Sequence, residues 1–114
     1  MVILGIQKFE NPRVGCCGSI RYDSIYPASY DINEFVCEAK TIVANYGTPS
    51  FFSENDTYCL EYFLGEPGQE ERGRGESLYK LEKNGESWDF YMNGELHSKI
   101  VETSDLDGIA EKCL

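Results

Sequence analysis

The only histidine, His97, follows Asp89 along the chain, and two adjacent thiols, Cys16 and Cys17, sit in the glycine-flanked run VGCCGS at 14–19. These are the residue types of acid–base and nucleophilic chemistry. A carboxylate that orients an imidazole readies it for proton transfer, and a thiolate beside a histidine is a nucleophile. The glycines could bend the backbone to present Cys16 or Cys17. Adjacent cysteines on a strand point to opposite faces, however, and nothing in the sequence brings either thiol to His97. No catalytic residue is therefore assigned, and a small cysteine-dependent enzyme using Cys16 or Cys17 is an alternative rather than the leading function.

Other chemistries have weaker footing. The five cysteines, Cys16, Cys17, Cys37, Cys59 and Cys113, form no C-x₂-C knuckle, and a site built from them and His97 would need long-range convergence. No metal and no other cofactor is expected. The stretch GEPGQEERGRGE at 65–76 is glycine-rich but lacks the phosphate-loop spacing, and it is acidic where a phosphate needs amides and cations. An odd number of cysteines without framework spacing fits free thiols in a reducing cytoplasm. The opening MVILGIQKFE has no positively charged start, and no apolar run approaches the length needed to span a bilayer.

Charge is the strongest global signal. Twenty acids against ten bases give a net charge of −10. Residues 1–60 hold seven acids and four bases, and residues 61–114 hold thirteen acids and six bases. Such a chain is repelled by phosphate and by anionic membranes, so neither direct nucleic-acid binding nor membrane association is expected. A basic protein is attracted instead. Solubility alone would also account for the charge.

The elements that must position these residues amount to a single α+β domain over 1–114: an antiparallel sheet of about 5–6 strands, one long helix packed on it and a short C-terminal helix. Residues 2–9 and about 16–22 read as strands, with DSIYPAS as loop. In DINEFVCEAKTIVANYG, at 31–47, Ile32, Phe35, Val36, Ala39, Ile42, Val43 and Tyr46 fall on one helix face. Asp31 caps the start, and Glu34, Glu38, Thr41 and Asn45 lie opposite. TYCLEYFL reads as a central strand, 65–76 as an exposed loop, and SDLDGIAEKCL as a short helix capped by Ser104 or Asp105, with Leu106, Ile109, Ala110 and Cys113 inward.

Two Asn-Gly pairs set the registers. A two-residue type I′ turn at Asn84-Gly85 pairs Lys83 with Glu86, Leu81 with Trp88 and Tyr79 with Phe90. A two-residue loop at Asn93-Gly94 would put Phe90 opposite His97 and Trp88 opposite Lys99. A three-residue loop, Met92-Asn93-Gly94, avoids that by pairing Phe90 with Leu96 and Trp88 with Ser98. On the other face, Lys80, Asp89 and His97 then lie side by side, and Tyr91 stands beside Leu78 and Glu95.

An acidic, tyrosine-bearing surface has the features of small inhibitory proteins that occlude a basic, often nucleic-acid-binding, partner. Carboxylates stand in for phosphates against Arg and Lys, and tyrosines add rigid contact area. Bacterial immunity proteins against nuclease toxins and phage anti-defence (anti-CRISPR-like) proteins are of this type. The candidate partner-binding residues are Glu34 and Glu38 on the helix, Glu66, Glu70 and Glu71 in the loop, and Asp89, Tyr91 and Glu95 on the sheet. A homo-dimer or larger homo-oligomer paired through the sheet face is a further alternative.

Overall fold

The computed structural model describes residues 2–11, 20–45, 57–66, 75–84 and 87–109. They form an α+β domain with a six-stranded antiparallel sheet in the order β2-β1-β3-β4-β5-β6. The strands are β1 (Val2–Asn11), β2 (Ile20–Pro27), β3 (Thr57–Gly65), β4 (Ser77–Asn84), β5 (Trp88–Met92) and β6 (Glu95–Ile100). One helix, α1 (Ile32–Asn45), lies between β2 and β3 in the chain, and a 3-10 helix (Thr103–Leu106) follows β6.

The helix forms where the 3.6-residue periodicity places it. Asp31 Oδ1 accepts the Asn33 amide at 2.9 Å, closing the first turn. Phe35, Val36 and Ala39 are fully buried against Leu60, Tyr62, Tyr79, Leu81, Trp88 and Phe90 of the sheet. Phe35 is the hub, with ring centroids 5.0 Å from Tyr62, 5.5 Å from Tyr79 and 5.8 Å from Phe90. Burying such a ring contributes about 1.5–3 kcal/mol. A smaller cluster, Leu4, Ile6 and Phe63 with Ile25 against it, lies on the other face of the sheet.

Several expectations from the sequence are corrected. The second strand is Ile20–Pro27, so most of DSIYPAS is strand rather than loop. It pairs with β1 along its whole length, from Leu4↔Pro27 to Asn11↔Ile20. At the first hairpin Leu81 faces Phe90 and Lys83 faces Trp88, a displacement of two residues from the tight-turn register. A shift of two keeps every side chain on its face, so hydrophobic patterning cannot exclude it.

The second hairpin closes with the two-residue turn that the sequence argument rejected. Met92 faces Glu95, with φ of 54° at Asn93 and 84° at Gly94, the left-handed pair of a type I′ turn. The conflict is relieved further along. A bulge makes His97 the extra residue on β6, so Phe90 meets Ser98 and Trp88 meets Ile100.

The C-terminal helix is reduced, among the described residues, to a 3-10 turn whose cap is Glu102, not Ser104 or Asp105. Asp105 Oδ2 accepts the amides of Val101 at 2.9 Å and Glu102 at 3.1 Å, which holds its carboxyl below the usual range. Leu106 is buried and Ile109 packs against the core, as the spacing predicted, while Ala110 and Cys113 lie outside the described residues.

Candidate functional site

Strand direction decides which charges meet. The end of β1 at Val2, of β3 at Gly65, of β4 at Ser77, of β5 at Met92 and of β6 at Glu95 lie together, because Val2 pairs with Gly65, Phe63 with Ser77, Tyr79 with Met92 and Met92 with Glu95. β2 finishes at this end too, with Pro27 opposite Leu4, so α1 starts here. The Tyr79 hydroxyl donates to the Tyr30 carbonyl at 3.1 Å and ties the helix start to the sheet.

This strand-end rim carries Asp31, Glu34, Glu66, Glu76 and Glu95, all exposed. Tyr30, at 66% exposure, and Leu96, at 53%, stand among them. With strands about 4.8 Å apart, the rim from β3 to β6 spans roughly 15 Å. The register therefore brings Glu34, Glu66 and Glu95 of the expected set to one end. Asp31 and Glu76 belong there as well, although the sequence reading gave one a capping role and the other a place in a solvated loop. Glu70 and Glu71 lie outside the described residues.

The sheet face away from the helix is organised differently. Across it run Lys8, Cys59, Glu82, Asp89 and Lys99, and beside them Ile6, Glu61, Lys80, Tyr91 and Leu96. Oppositely charged side chains meet here, although Glu82 also faces Asp89 across β4 and β5. Lys99 Nζ donates to Asp89 Oδ1 at 3.0 Å, Lys80 Nζ lies 3.6 Å from Glu82 Oε2, and Lys80 Nζ stands 5.1 Å from the Tyr91 ring centre. Asp89 and Tyr91 are thus half-buried members of a charge ladder, set apart from the rim. His97 is not beside Asp89. It is exposed at the bulge, its Nδ1 3.3 Å from Ser98 Oγ and its ring 5.5 Å from that of Phe90. The acid–base pair drawn from the sequence does not assemble, and Cys16 and Cys17 lie outside the described residues.

Glu38 is the largest departure. It was placed on the helix face away from the core, yet its carboxylate is turned into the sheet. Oε1 accepts the Gln7 amide at 2.8 Å and the Tyr26 hydroxyl, while Oε2 accepts the Tyr62 hydroxyl at 2.6 Å. Tyr58 donates to Gln7 Oε1 at 2.7 Å, so β1, β2 and β3 all converge on one helix side chain. Burial disfavours ionisation of all three tyrosines, and proximity to the Glu38 carboxylate disfavours it further. Tyr58 is pushed up to about 12. The position had a sequence signal. Glu38 falls between Phe35 and Ile42 at spacings of three and four, on the border of the apolar stripe.

Cysteine chemistry also differs from expectation. Cys59 is buried and carries no disulfide, but Cys37 is disulfide-bonded. That overturns the expectation of free thiols throughout, because a reducing cytoplasm disfavours such a bond. Among the described residues no three His, Cys, Asp or Glu side chains converge as a metal site requires, and no helix is long and apolar enough to cross a membrane. Comparison with family models, curated proteins and solved structures found no match. The functional reading therefore rests on the chain's own geometry.

Proposed function

We propose that this chain is a small acidic binding protein that occludes a basic protein partner, in the manner of an immunity protein or a phage anti-defence protein. The observation that carries the reading is the strand-end rim, where Asp31, Glu34, Glu66, Glu76 and Glu95 are exposed together. Lys40–Asp107, Lys80–Glu82 and Lys99–Asp89 are paired away from this rim. One-signed charge on low-dielectric strand ends focuses negative potential and draws a cationic surface. The rim's width suits a single partner helix, roughly 10–12 Å across. Tyr30 and Leu96 supply contact area that does not depend on charge.

The test is affinity capture with the tagged chain at low salt, run beside a Glu66→Gln/Glu76→Gln/Glu95→Gln variant. The reading requires a basic protein that binds the native chain, leaves as salt is raised and ignores the variant. Equal capture by both proteins would end it.

Cytoplasmic residence is part of the proposal and is checked by thiol alkylation of protein taken from its native compartment. A Cys37 that alkylates without reductant supports the cytoplasm. A Cys37 that alkylates only after reduction moves the encounter to an oxidising compartment.

A further inference from the structure

The Glu38 carboxylate is partly desolvated, yet no lysine or arginine of the described residues pairs with it. Its partners are the neutral donors Gln7, Tyr26 and Tyr62. A carboxylate taken out of water normally meets a cation. This one is met by neutral dipoles instead and keeps unused acceptor capacity. It offers about four lone-pair positions, and the donors above take two on Oε1 and one on Oε2.

The sequence gives up backbone preference to build this arrangement. Gly5 lies in the middle of β1, opposite both Tyr26 and Tyr62, where glycine weakens a strand. A Cβ there would stand 2.8 Å from Cε2 and Cζ of the Tyr26 ring and 3.0 Å from its hydroxyl. Glycine therefore lets the ring lie against the strand and bring its hydroxyl to Glu38. Glu34, one helical turn towards the rim, is close enough to disfavour ionisation of Tyr62 as well. Glu34 of the rim thus stands one turn along the helix from Glu38.

We propose that Glu38, framed by Tyr26 and Tyr62, seats a primary ammonium group, supplied by a lysine side chain of the partner that enters past Glu34. The inference rests on the reading above for the source of the cation. A lysine fits the remaining acceptor position because an ammonium needs one oxygen. A bidentate guanidinium would have to displace a tyrosine or Gln7.

The experiment follows the Glu38 side-chain carboxyl carbon by NMR while n-butylammonium, and separately neutral n-butanol, is titrated into the full chain. A saturable shift at Glu38 with the ammonium alone, absent from the Tyr62 ring signals of a Glu38→Gln variant, is the expected result. No saturable shift, or one shared by butanol or retained in the variant, overturns the proposal. Where Glu38→Gln does not fold, Tyr62→Phe replaces it. That variant keeps the carboxylate and opens a second position on Oε2, so it binds the ammonium at least as tightly as the native chain; weaker binding counts against the seat. A peptide with a single lysine should reproduce the shift and its Nζ-acetylated form should not; equal effects of the two overturn the lysine as source. The rim variant retains the Glu38 response, so equal partner capture by the native chain and that variant, with the Glu38 response intact, removes the rim reading and leaves the seat.

Discussion

The two ends of the charge problem in this molecule are solved in opposite ways. On the helix-free face, acids and bases of β4, β5 and β6 are interspersed, with Lys99 on Asp89 at 3.0 Å and Lys80 near Glu82 at 3.6 Å. At the strand ends, exposed acids gather from the helix start and from three strands' termini. The paired face is what a solvated sheet needs for stability and solubility. At the rim, like charges gathered on neighbouring strand ends repel one another. On the reading proposed above, the contrast gives the net charge of −10 two separate roles, one structural and one addressed outward.

The largest effect should come from breaking the rim. Neutralising Glu66, Glu76 and Glu95 together should slow association with a basic partner at low salt by at least about tenfold, within the roughly 10–1,000-fold range of electrostatic steering. The folding midpoint should hold or rise. Stopped-flow association and urea unfolding check both, and an unchanged rate would mean that the rim is no different from the ladder.

A medium effect separates both charged surfaces from the buried Glu38 network. Tyr26, Tyr58, Tyr62 and Tyr79 all hold their protons more tightly in the fold, first through burial. An unfolded tyrosine ionises near about pH 10. Above that, the unfolded chain releases protons that the folded chain keeps, so their contribution is intact below about pH 10 and declines as pH rises towards the folded values. The urea midpoint should fall steeply above about pH 10, and less steeply in Tyr62→Phe. A midpoint level across that range would contradict the network.

The smallest effect belongs to the ladder. Asp89→Asn leaves Lys99 exposed and should cost no more than about 1 kcal/mol, as surface ion pairs do. Its association rate should stay within about twofold of native, since one distant charge adds little to steering. A loss as large as that of the rim variant would erase the distinction between the surfaces.

The legible parts of the fold were those with a period. The helix face through Phe35, Val36 and Ala39, the central strand through Leu60 and Tyr62, and the antiparallel order from β4 to β6 all follow from spacing. Registers were less legible, because a slip of two at the first hairpin changes no face and a bulge at His97 repairs a slip of one. Asp89 and His97 parted for that reason. Glu34, Glu66 and Glu95 were found from charge alone, but their meeting at one end needs the strand order, which composition does not contain. Glu38 was misplaced because a carboxylate reads as solvent-facing until its donors are known, and those come from β1, β2 and β3.

The most direct test of the rim is amide shift mapping as an oligolysine peptide is titrated into the labelled chain at low salt. Saturable changes concentrated at residues 30–34, 64–66, 75–77 and 92–96, abolished by added salt, are the predicted outcome. Changes centred on Glu82, Asp89 and Tyr91, or spread evenly over the surface, would contradict it.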